Sequence, residues 1–199
     1  MSKESNKGFT LIELLVVIAI IAVLSIVVIL TLNPAELLRQ ARDSNRISDL
    51  STVKSAIALY LADITSPWLG TSTNAYEDVT SLANSTSTTS FNLTFSSQPS
   101  AGAIVTSTAP RAVDGTGWIP VKFTQISSGA PIGQLPVDPL DNDGGIHLYL
   151  YKASSTALTF KLAAKMESTK YSNTGTSDVE STDGGNNTAE FEAGTNLRL

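Results

Sequence analysis

The chain has no cysteine among its 199 residues, which excludes disulfide staples, thiol nucleophiles and Cys-based metal sites at once. It has one histidine, His147, so a centre built on clustered imidazoles is excluded as well. Basic residues are scarce: 13 Lys and Arg stand against 18 Asp and Glu, a net charge of −5. Phosphate backbones are held by clustered Lys and Arg, so nucleic acid is not expected as the main partner. No phosphate-cradling glycine loop, Ser-His-Asp arrangement or paired-carboxylate pattern appears. The chain does not read as an enzyme, and no motif requires a cofactor. From Thr65 onward Ser and Thr are abundant and Lys is rare, which suits a solvated, exported surface.

What is present begins with a long apolar run. From Leu14 to Leu32 the only side chains that are not hydrocarbon are Ser25 and Thr31, and Lys7-Gly8-Phe9-Thr10-Leu11-Ile12-Glu13 leads into it. About 20 apolar residues span a bilayer. A carboxylate at the mouth of such a run is costly, by about 2.5–3.5 kcal/mol for a charge at a helix centre, so Glu13 should find a neutralising partner. A secretory signal would carry a shorter apolar core and a small-residue cleavage site after it. This run instead ends in Leu32-Asn33-Pro34. A plain single-span anchor is the stronger alternative, but it has no need of Glu13 or of Gly-Phe-Thr-Leu-Ile-Glu in that order. Lys3 and Lys7 on one side and Arg39, Arg42 and Arg46 on the other leave the charge rule for orientation close to a draw.

Residues 7–32 resemble the amino terminus of type IV pilins and of the pseudopilins of type II secretion systems. The resemblance is looser as far as Asp63 and only architectural beyond. It implies a leader over residues 1–8, cleaved between Gly8 and Phe9 by a membrane-embedded prepilin peptidase that also methylates the new Phe9 amine. It implies that Glu13 of one subunit pairs with the Phe9 amine of its neighbour and fixes their stagger in a helical homo-oligomer. An assembly ATPase and a platform protein are the further partners implied. The amino terminus would lie in the cytoplasm, with a single pass through the cytoplasmic (inner) membrane before assembly into a surface or periplasmic filament. Loss of the leader leaves 11 basic against 17 acidic groups, a net −6.

After Pro34 the pattern turns amphipathic. Ile47, Leu50, Val53, Ile57, Leu61 and Ile64 make one helical stripe. Arg39 with Asp43 and Arg46 with Asp49 are expected on the wetter face. The fold class expected is α+β: a long helix from Phe9 to about Asp63, apolar over 9–33 and amphipathic over 34–64, interrupted near Asn33-Pro34 and packed on a small antiparallel β-rich domain over 65–199. The proline that bends pilin helices usually lies several residues earlier. Candidate strands are Phe91–Phe95, Trp118–Ile126, Ile146–Lys152, Ala157–Ala164 and a terminal one within Phe191–Leu199, with Ser154-Ser155 as a turn. Leu148, Leu150, Leu158, Phe160 and Leu162 are expected on one buried face, with Tyr149 and Tyr151, and His147 beside them, pointing the other way. Residues 71–90 and 168–188 read as flexible loops.

The stretch Leu135 to Gly145 holds four oxygen-bearing side chains within six residues, Asp138, Asp141, Asn142 and Asp143, before a Gly pair. They could wrap a hard cation such as calcium, although the spacing is not that of an EF-hand. The alternative is a tight acidic turn. Major pseudopilins are similar in carrying a Pro-x-Asp-Pro loop with calcium bound, which tilts a second reading toward a pseudopilin that pushes exported proteins outward. A third reading is a membrane-tethered calcium-binding or adhesive domain that never polymerises. Trp68 and Trp118 read as packing or subunit-contact residues. Asn84, Asn92 and Asn186 head N-x-S/T tripeptides, which are frequent in Ser/Thr-rich chains.

Overall fold

The computed structural model describes residues 8–78, 104–140 and 147–199. The chain divides into two compact units, Met1–Leu38 and Arg39–Leu199. The expected strand at Phe91–Phe95, the loop beyond Asp78, and Asp141, Asn142, Asp143, Asn84 and Asn92 lie outside the described residues.

In the first unit, helix α1 runs Leu11–Leu32 and is long and apolar enough to cross a membrane. Every side chain from Leu11 to Ile29 is exposed. The helix ends where Asn33 adopts a left-handed backbone, φ 39° and ψ 75°, a conformation Asn tolerates better than most residues. Helix α2, Pro34–Asp63, starts at once. Pro34 takes its first position, where the missing N–H has no intrahelical partner to lose. The Asn33 carbonyl accepts the N–H groups of Glu36 and Leu37 at 3.0 and 3.3 Å. The expected interruption is therefore a helix end followed directly by a helix start.

The second unit is organised by α2. Its buried positions Asp43, Arg46, Leu50, Val53, Ile57 and Tyr60 are spaced 3, 4, 3, 4 and 3 apart, one continuous helical seam. Ile47, Leu61 and Ile64 are only half-buried. Asp43 and Arg46, expected on the wet face, instead lie in the seam, fully enclosed. The reason is local: three carboxylates converge on the guanidinium and satisfy it in place of water. Leu50, Val53, Ile57 and Tyr60 share a single core with Tyr76, Tyr149, Tyr151, Phe160 and Leu162 from the sheet. Each such apolar side chain contributes roughly 1.5–3 kcal/mol by leaving water.

Among the described residues the sheet has five strands in the order β2-β1-β3-β4-β5, with β1 Ala75–Glu77, β2 Ile104–Val105, β3 Tyr149–Ser154, β4 Thr159–Ala164 and β5 Phe191–Gly194. All pairings are antiparallel except β1 with the short β2. Tyr151 pairs with Leu162 and Leu150 with Ala163, so even positions of β3 and β4 lie on opposite faces. The expected faces are thus corrected: Tyr149 and Tyr151 enter the main core with Phe160 and Leu162, and Leu148 and Leu150 form a small cluster with Ala163 on the other side. A one-residue change of phase flips every side chain of a strand. The tyrosines fit inside because their hydroxyls reach acceptors, Tyr149 on Asp49 Oδ2 and Tyr151 on the Leu69 carbonyl, both at 2.8 Å.

Trp118–Ile126 is not a strand. Trp118, Ile119, Val121, Phe123 and Ile126 are all buried in an irregular segment that ends in a short 3-10 turn, Phe123–Gln125. Pro120 cannot donate to a ladder, and the segment's own bonds, Trp118 N–H to the Pro110 carbonyl and Phe123 N–H to that of Val113, fold it back on itself. Gly117 permits this: a Cβ there would lie 2.1 Å from the Ala112 carbonyl oxygen. The stretch from Ser168 to Thr188 has neither helix nor strand, yet it is tied down. Its Glu180 is buried and accepts the N–H groups of Met166 and Asn173 at 2.9 and 2.8 Å. A low-hydrophobe sequence can be fixed in this way by carboxylates bonding to backbone.

Candidate processing and assembly segment

Gly8, Phe9 and Thr10 precede α1 in extended, exposed chain, and Phe9 is 91% exposed. A Cβ built on Gly8 would touch nothing within 4 Å. Among the described residues nothing packs closely enough to require glycine there.

Thr10 is the N-cap of α1, and with Glu13 it forms a reciprocal capping box. The Glu13 N–H donates to Thr10 Oγ1 at 3.3 Å, while the Thr10 N–H and hydroxyl both donate to Glu13 Oε2 at 2.8 Å. Two orphan donors of the helix start are thus satisfied. The expected partner of Glu13 was a cation on a neighbouring chain; the partner within its own chain is Thr10, three residues back. The T-x-x-E pattern carries that signal in the sequence. All three bonds lie on the Phe9 side of the Gly8-Phe9 bond, and the Thr10 N–H belongs to the Phe9-Thr10 amide. Glu13 is exposed, and Oε2 is the oxygen that Thr10 engages.

A second constellation lies in the folded domain. Arg46 Nε and Nη2 donate to Asp138 Oδ2 and Oδ1 at 2.6 and 2.8 Å, and Nη1 donates to Asp43 at 2.8 Å and Glu167 at 2.5 Å. Arg42 adds a two-pronged pair to Glu167 at 2.9 and 2.6 Å. Asp43 also accepts the N–H groups of Glu167 and Ser168. Burial would lower the Arg46 pKa, but Asp138 and Glu167 outweigh that and push it up, so the guanidinium stays charged. Burial would raise the Glu167 carboxyl, but bonds from Arg42 and Arg46 hold it at about 2. Beside this group Asp78 accepts the N–H groups of Asp138 and Tyr149 at 2.6 and 2.9 Å.

The remaining residues singled out in the sequence separate. His147 is half-buried just ahead of β3. Trp118 is core, with Nε1 donating to the Pro136 carbonyl at 2.9 Å, whereas Trp68 is half exposed. Asn186 is exposed and accepts from Lys161 Nζ at 3.4 Å. On the face of the sheet away from α2, buried Lys152 and Lys161 stand directly opposite each other, and Lys161 is paired with Glu192. Among the described residues no group of three or more His, Asp or Glu could hold a metal ion.

Compared with known protein families, residues 4–29 match the prokaryotic N-terminal methylation motif. No curated protein and no solved structure matches the chain. The match covers the segment just described, the start of α1 included, and leaves the β-rich domain without a counterpart.

Proposed function

We propose that this chain, whose amino terminus carries the prepilin signature, is the structural subunit of a type IV pilus-like filament, cleaved after Gly8 and polymerised through α1. The observation that carries the reading is the pairing of that signature with an apolar helix exposed from Leu11 to Ile29. Such a surface is stable in lipid or against other apolar helices, not in water. In the membrane, lipid covers it; in a filament, α1 of neighbouring copies replaces lipid, and Phe9 of one copy brings its ammonium to Glu13 of the next. The Arg39–Leu199 unit folds on its own core. The prepilin peptidase, assembly ATPase and platform protein are the partners this requires. The role is structural, with no reaction of the chain's own. The pseudopilin reading leaned on the acidic stretch from Asp138, and Asp138 is engaged by Arg46, which favours the pilus-like filament.

The test is the intact mass of protein extracted from membranes and from sheared filaments. The mature chain should start at Phe9 and carry a methyl group, and Gly8→Val should leave the leader in place while the domain folds as before. A mature chain starting at any other residue overturns the proposal, and uncleaved chain as the sole form leaves only the tethered domain.

A further inference from the structure

Asp138 is the first acid of the stretch that the sequence offers to a hard cation, and its surroundings decide whether it fits one. Both carboxylate oxygens are taken by the Arg46 guanidinium, and Oδ1 also accepts the Leu140 N–H at 2.8 Å. Both side chains of the pair are fully enclosed. Calcium requires about 6–8 oxygen ligands turned toward it, and a guanidinium bonded to both oxygens leaves neither free and repels the ion. Asp138 therefore does not fit a calcium site.

We infer that the Arg46 guanidinium is itself the cation of this site, fastening the Pro136–Leu140 segment to α2 as a bound metal would, but from within the fold. Three observations converge on it. The anions come from three separate places: Asp43 from α2 itself, Asp138 from the Pro136–Leu140 segment, and Glu167 from the chain leaving β4. Arg46 lies in line with Leu50, Val53 and Ile57 on the buried seam, so the helix packing that builds the core also delivers the charge. The fork of donors on one planar group matches two oxygens of Asp138 at once, which a Lys ammonium cannot do. The fastening then holds at any concentration of free divalent cation, because its cation is covalently part of the chain. The inference is independent of cleavage and polymerisation.

The experiment is thermal denaturation of the full chain in detergent, in excess EDTA and in millimolar calcium chloride. Asp138→Asn should lower Tm by roughly 6–20 °C, the range for breaking one partner of a buried pair in a domain of this size. That loss should be the same in both buffers and should largely vanish in an Arg46→Met background, where no guanidinium is left unpaired. A loss seen in calcium and absent in EDTA overturns the inference. A second measurement needs no variant. The Arg46 Nε–H proton, held by a buried carboxylate, should give a protected NMR resonance that is unchanged by calcium. Its displacement on adding the ion would show metal taking Asp138 from the arginine.

Discussion

The chain contains two helices whose buried and exposed faces follow opposite logic. Helix α1 is almost entirely hydrocarbon and is exposed from Leu11 to Ile29, while α2 from Arg39 to Asp63 is mostly polar and encloses Leu50, Val53, Ile57 and Tyr60. A naive ranking by hydrophobicity would place α1 in the core and leave α2 in solvent. The reverse holds because burial depends on having a complementary surface. The sheet offers a face to the α2 seam, through Tyr149, Tyr151, Phe160 and Leu162, whereas an all-round apolar cylinder such as α1 has no single face to match. The packed core lies in one region, and the proposed assembly surface in the other; each prediction can break that division.

The widest separation comes from removing similar apolar bulk from each region. Phe160→Ala, in the core beside Tyr151, should cost the domain about 3–5 kcal/mol, whereas Ile20→Ala should leave its denaturation midpoint unchanged and affect only filament yield. Urea titration of the full chain in detergent measures the first. A loss of domain stability in Ile20→Ala would mean that α1 is held by its own chain. Next comes Glu13→Ala. It should insert and be cleaved normally, since removing the charge lowers a membrane cost. It should nonetheless reduce the ratio of sheared filament to membrane-retained subunit by roughly a hundredfold or more, by stranding the ammonium of a neighbour in a low-dielectric bundle. Glu13→Gln should fall between. Equal assembly of all three chains would reduce Glu13 to a helix cap.

The smallest effect is a pH dependence confined to the domain. Glu167 is held at about 2, below its ordinary 4.5, so the stability it supplies is complete above about 4.5 and is lost as pH falls through about 2. Glu190 behaves oppositely. Burial pushes it from 4.5 to about 8, so stability present below 4.5 declines as pH rises through about 8. Glu190→Gln should therefore raise Tm at pH 8, leave it unchanged near pH 4, and make the profile between them less steep. A variant that lowers Tm at both pH values would show that the buried carboxyl is an indispensable hydrogen-bond partner.

The parts visible in the sequence are those that repeat along the chain. The apolar run defines α1 nearly to the residue. The capping box is written as Thr10-x-x-Glu13, and the α2 seam as a spacing of threes and fours. What sequence reading loses is whatever depends on a partner far along the chain. Asp43 beside Arg39 and Arg46 beside Asp49 look like solvated pairs until Asp138 and Glu167 reach Arg46 from some 90 and 120 residues away. Tyr149 and Tyr151 look outward until register pairs them with Ala164 and Leu162. The alternation around Ile119, Val121 and Phe123 mimics a strand, and Pro120 is the residue that argued otherwise. The three-residue β1 is too short to leave a periodic signal, and the buried Lys152 and Lys161 carry no mark distinguishing them from surface lysines.

Asn33 closes two hydrogen-bond ladders with one residue: its left-handed backbone ends α1, and its carbonyl begins α2. Helical order spreads cheaply along an unbroken ladder but must be nucleated afresh beyond a break. Fraying or local melting that starts in α1 is therefore arrested at position 33 and does not spread into the seam. Under the proposed assembly, the neighbours of the apolar helix would change from lipid to protein while the domain's amides stay as protected from solvent as its global stability allows.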